Sequence, residues 1–107
     1  MNKNDIFNSY SLKTATVEAW GHEVTVQELS AGALDKLRAI GDGQELRGGA
    51  TVIVHGVIDE NGKKVFAPND VDKILDTMSV ADINLVSEAI LKVSGLMGVE
   101  EVVEGND

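Results

Sequence analysis

The sequence predicts a small α+β fold, a single domain with an N-terminal β-hairpin packed on a bundle of about four short helices, and three observations lead there. Between Lys13 and Gln27 apolar and polar residues alternate, the period of a strand pair with one wet face. From Ser30 onward apolar residues recur three and four apart, the spacing of helices buried along one stripe. At 107 residues the chain has room for one hydrophobic core and not for two.

Residues 1–12 carry no sustained period; Ile6, Phe7 and Tyr10 make at most a loose docking segment, so a partly ordered terminus is expected ahead of a domain spanning 13–97. In the hairpin Ala15, Val17 and Ala19 point one way, Val24 and Val26 continue that face, and Trp20-Gly21-His22 forms the turn. A lone hairpin is marginal in water, so its apolar face must cover the helices. Trp20, the one tryptophan, either clamps the tip of the hairpin to the body or stands out as an anchor for a partner.

Ser30 is placed to cap the next helix, with Leu29 and Leu34 as a hydrophobic staple and Leu34, Leu37 and Ile40 as its buried stripe. Gly41 ends it, and the glycine-rich run to Gly49 reads as a flexible connection with an early helical turn. Residues 50–58 are ambiguous. Val52, Ile53, Val54, Val57 and Ile58 are β-branched and favour a strand by propensity, whereas Leu46, Ala50, Ile53, Val54 and Val57 fall on one helical face, and that spacing favours a helix. Asn61-Gly62 then reverses the chain in a turn whose two residues both accept positive φ, and Lys63–Phe66 is extended.

Asn69 is expected to cap a short helix with Val71, Ile74, Leu75 and Met78 on one face, and Ser79 to cap the last one. Ile83, Val86, Ile90 and Val93 form the core stripe of that last helix, which Leu85 and Ala89 widen. Leu91 falls on the opposite side among Asn84, Glu88 and Lys92, making it a candidate contact with a partner or a sister subunit. Gly95-Leu96 gives a Schellman-type ending, and residues 98–107, with four acids and no base, are expected to form a flexible tail dispensable for folding.

Composition narrows the function. A net charge of -9 with nine scattered basic residues argues against nucleic acid as a partner, because phosphate contacts need clustered Lys and Arg. An acidic DNA mimic would crowd its carboxylates, and here Glu18, Glu23, Glu28, Asp35, Asp42 and Glu45 are spread singly. No apolar run approaches the ~20 residues of a membrane span and the first residues do not resemble a signal peptide, so the expected location is the cytoplasm of the cell that makes the protein. The absence of cysteine excludes disulfides and thiolate chemistry. His22 and His55 lack metal-ligand spacing, Asp59-Glu60-Asn61-Gly62 places its glycine wrongly for a calcium loop, and the glycines at 41–49 lack the ending of a phosphate loop. The expectation is a non-enzymatic domain without metal or cofactor.

An apolar segment running into Asp59-Glu60-Asn61-Gly62-Lys63, then Val65-Phe66, an acidic helix start and a final apolar helix closing on Gly95-Leu96 resembles the tail assembly chaperones of long-tailed bacteriophages. The resemblance reaches upstream to Val24–Ser30 and covers roughly Val17 to Leu96. It implies binding of the tape measure protein, promotion of tail tube polymerisation by the major tail protein around it, self-association into a homo-oligomer, action in the host cytoplasm, and a longer form made by programmed frameshifting. The other readings are a structural tail or connector subunit of the virion and, behind it, the acidic inhibitor.

Overall fold

The hairpin forms where the alternation places it. In the computed structural model, which describes residues 1–96, β1 (Thr14–Ala19) pairs antiparallel with β2 (His22–Gln27), Ala19 opposite His22. The two residues between them, Trp20 (φ 56°) and Gly21 (φ 76°), are both left-handed, as a two-residue type I′ turn requires to match the twist of its strands. The inward residues Ala19, Val24 and Val26 are buried.

The ambiguity at residues 50–58 resolves in both directions. Helix α3 runs from Glu45 to Gly56 because Ala50, Ile53 and Val54 share one buried face, and β-propensity prevails only at its end, where Val57–Ile58 form β3. β3 pairs antiparallel with β2, Val57 opposite Val26, giving a three-stranded sheet in the order β1-β2-β3. The following turn differs from expectation in that Gly62 alone has positive φ (80°), while the Asp59 carboxylate accepts from the Asn61 and Lys63 amides at 2.8 and 3.0 Å. An Asx-type turn thus takes the place of a turn with both residues left-handed.

Helix α2 spans Ala31–Arg38, with Ser30 Oγ accepting from the Ala33 amide at 3.2 Å, and Gly41 (φ 87°) lies beyond its end. Helix α4 spans Val71–Thr77 and follows a 3-10 turn over Pro68–Asp70. The expected Asn69 cap does not form: the Asp70 carboxylate accepts from the Ala67 amide at 2.8 Å, because Pro68 starts the turn two residues earlier. Helix α5 spans Val80–Val93, capped as expected by Ser79 Oγ on the Asp82 amide and ended by Gly95 at φ 81°.

The glycine-rich run is the larger correction. Gly48 and Gly49 lie inside α3, and a Cβ built at Gly49 would stand 3.0 Å from Ile83 Cγ2, while one at Gly56 would stand 2.6 Å from Ile90 Cδ1. These glycines bring α3 and α5 close together, with Ser87 buried beside Gly49 and its hydroxyl donating to the Asn84 carbonyl. Ile53, Ile74, Ile83, Val86 and Ile90 fill the space between α3, α4 and α5, and α5 packs on its other side against β1 and β2. The ends are tied by the Leu29 amide, which donates to Ser94 Oγ at 2.9 Å while that hydroxyl donates to the Ile90 carbonyl.

Residues 1–12 are more regular than expected. Lys3–Ser9 form helix α1, whose Asn2–Asp5 capping box exchanges two hydrogen bonds of 3.0 and 3.1 Å. The 98–107 tail lies outside the described residues. No helix among the described residues is long and apolar enough to cross a membrane.

Candidate interaction surface

The two residues singled out from the sequence fare differently. Leu91 is half-buried and packs against the core, so it does not lie on the free side of α5. The cause is Ser87: because this small residue is buried against Gly49, the covered arc of α5 rotates toward Leu91 and away from Leu85. Val80 and Leu85, 55% and 43% accessible, are the large apolar residues that α5 exposes.

Trp20 sits where the sequence places it, at the hairpin tip. Its ring meets Phe66 edge to face, centroids 6.0 Å apart and planes at 80°. A bulky residue in the left-handed region costs roughly 1–2 kcal/mol, and the packing on Phe66 is what offsets it. The ring is half-buried, and its indole N–H is enclosed without an acceptor among the described residues. Around it runs an open cleft of about 480 Å³ whose apolar wall is Val24, Val57, Ile58, Val65 and Phe66 and whose rim carries Glu23, Asp59 and Glu60. This clamp joins the hairpin to the Lys63–Phe66 segment, so its shape depends on elements far apart in sequence.

Helix α1 presents a second apolar surface, formed by the residues that the sequence offers as a loose docking segment and not as a helix. Ile6, Phe7 and Tyr10 lie on one side of it, and they are 47%, 75% and 69% accessible. No residue of the helix is buried. The legible signal was the Asn2–Asp5 capping box, too short a pattern to register as a period.

A second cleft, about 450 Å³, lies between α2, α3 and the 3-10 turn. Its floor is Ile40, Val54 and Val71, and Lys36, Arg47 and His55 line it; Arg47 pairs with Asp72 at 2.9 Å. Partial burial holds the His55 imidazole below its ordinary range, helped by the nearby Lys64 and Lys36 ammonium groups, the former of which donates to the His55 carbonyl. Among the described residues no three His, Asp or Glu side chains come together as a metal site would need, and His22 and His55 stand on separate elements, β2 and α3.

The architecture is that of a small α+β domain with open clefts and a few exposed large apolar side chains. It is similar to the solved structure of the tail assembly chaperone of bacteriophage HK97, with a TM-score of 0.62 over 81% of this chain and 89% of that one. Identity is 15%, so the likeness is one of fold. No family model matches the sequence, and no curated protein does.

Proposed function

We propose that the protein is a non-enzymatic tail assembly chaperone that binds the tape measure protein of a long-tailed phage and promotes tail tube polymerisation around it by the major tail protein. The observation that carries this reading is the fold shared with the HK97 chaperone over 81% of the chain. The apolar surface left after the core is made agrees with it: α1 and the Trp20–Phe66 cleft offer aromatic anchors of the kind that hold a helical client, and the acidic rim keeps the loaded protein soluble. Work on such a client proceeds in the host cytoplasm and needs no cofactor, because polymerising tail protein displaces the chaperone by competition.

The test is co-expression with the tape measure protein encoded in the same genome. The expected outcome is a soluble complex that co-purifies, together with absence of this protein from finished virions. Recovery from virions in stoichiometric amount would make it a structural tail subunit and end the chaperone reading.

A further inference from the structure

β1 is the outer strand of the sheet, and the hydrogen-bond pattern says which of its groups face out. The Glu28 amide donates to the Lys13 carbonyl at 2.8 Å, so in the Lys13-to-Ala19 register the odd-numbered residues bond to β2 and Thr14, Thr16 and Glu18 direct their N–H and C=O groups to the open edge. All three are exposed, and among the described residues nothing pairs with that edge. It has no proline, no inward charge and no bulge, and Glu18 is the one charged residue within it. Directly before it stands α1, a seven-residue helix too short to hold its shape alone, with its apolar side uncovered.

We propose that β1 pairs antiparallel with β1 of a second copy of this chain, about a two-fold axis at Thr16, and that α1 of each copy packs on the other. An axis at Thr16 sets Thr14 opposite Glu18 and Ala15 opposite Val17, which satisfies every outward N–H and C=O of the strand and keeps each face of the sheet continuous. It opposes Glu18 to a threonine and not to its own twin, so no like charges meet. The strand directions then carry each arm past the other copy's hairpin tip, bringing Leu12 level with the second copy's Trp20 and the arm toward the Trp20–Phe66 cleft.

Charge and area both favour a second copy as the occupant. Two chains of net charge -9 repel each other, yet residues 1–19 hold Lys3 and Lys13 against Asp5 and Glu18 and are neutral, so copies can approach through this region. Phe7 and Tyr10 bring on the order of 150–250 Å² each, which with Ile6, Leu12 and the strand edge approaches the ~800 Å² per partner of a stable pair. Because this pairing gives α1 and the Trp20–Phe66 cleft to a second copy, a client on those surfaces competes with the dimer, and the tests are made on the protein without client.

Because the chain has no cysteine, single substitutions test the register in the full-length protein. Residues facing each other across a hydrogen-bonded pair have Cα atoms about 5.5 Å apart, within disulfide reach. Thr16→Cys should therefore form a disulfide-linked dimer of twice 11.4 kDa under mild oxidation, whereas Thr14→Cys alone and Glu18→Cys alone should stay monomeric on a denaturing gel and link only when mixed. Thr16→Pro, which removes an outward N–H and no bond to β2, should shift the dimer dissociation constant at least tenfold in light scattering while leaving the circular dichroism spectrum unchanged. Phe7→Asp should weaken the dimer likewise. A wild-type chain that stays monomeric at high micromolar concentration overturns the proposal, as does a Thr16→Cys protein that stays reduced, which is also the outcome expected if residues 98–107 or a different partner occupy the edge.

Discussion

Helices α1 and α5 are built from the same materials and meet opposite fates. Each is capped by a polar side chain and each carries an apolar side, Ile6, Phe7 and Tyr10 in one and Ile83, Val86 and Ile90 in the other. Helix α5 is held between α3 and the sheet, and those three residues are closed to solvent; α1 has no buried residue and its apolar residues stay accessible. Apolar content alone therefore does not decide burial. What decides it is a second surface shaped to receive the helix, which α3 supplies to α5 through Gly49 and Gly56 and which nothing in the described residues supplies to α1.

The comparison can be broken most forcefully at Ile90. Placing a carboxylate there buries an unpaired charge between α3 and α5, so Ile90→Asp should cost more than about 4 kcal/mol and leave no cooperative melting transition. The receiving surface itself is tested by Gly56→Ala. Its new methyl would meet three carbons of Ile90 within 2.7 Å, and the overpacking should cost about 1–3 kcal/mol in denaturant melts, whereas Gly32→Ala on the open side of α2 should raise stability by about 0.5–1 kcal/mol from helix propensity. Equal effects at the two glycines would show that α3 and α5 do not approach this closely.

Much of this architecture can be read from the sequence. Alternation located the hairpin, Ser30 and Ser79 announced their caps, and the spacing of Ala50, Ile53 and Val54 outweighed their β-propensity. The candidate surface was less legible, because the position of Leu91 depends on which neighbours α5 has on both sides. A helical wheel drawn from apolar residues alone assigns Ser87 to solvent, and once Ser87 is buried against Gly49 the covered arc takes in Leu91 and releases Leu85. The glycines of α3 are hard to read for a related reason: in sequence glycine marks freedom, and only a facing Ile83 or Ile90 turns it into a packing requirement.

Leu91→Asp sharpens that correction, since a half-buried leucine against the core should cost about 1–2 kcal/mol on replacement, while Leu85→Asp should fall within about 0.5 kcal/mol of the parent. A smaller effect comes from His55. Its folded pKa is lowered from 6.5, so the unfolded chain takes up a proton more readily; stability should be fully present above about pH 6.5 and decline as the pH falls through the folded value. Melting temperatures measured between about pH 8 and 5.5 should show the decline in the parent and less of it in His55→Gln. Smallest of all, Phe7→Asp on α1 should change the unfolding free energy of dilute protein by less than about 0.5 kcal/mol in denaturant melts, because that side chain is exposed within the chain. A large loss there would mean that α1 is part of the core after all.

The hydrogen bond from Leu29 to Ser94 joins residues 65 positions apart, and it bears on how the protein is made. The hairpin leaves the ribosome early, but α5, which covers its apolar side, follows much later. At a synthesis rate of roughly 5–20 residues per second, that side waits roughly 3–13 s for its cover. During this interval the nascent chain displays both an uncovered sheet and an unpaired β1 edge, and neighbouring polysomal copies translating the same message are the nearest molecules able to meet either. Slow elongation through codons 60–90 would lengthen that exposure.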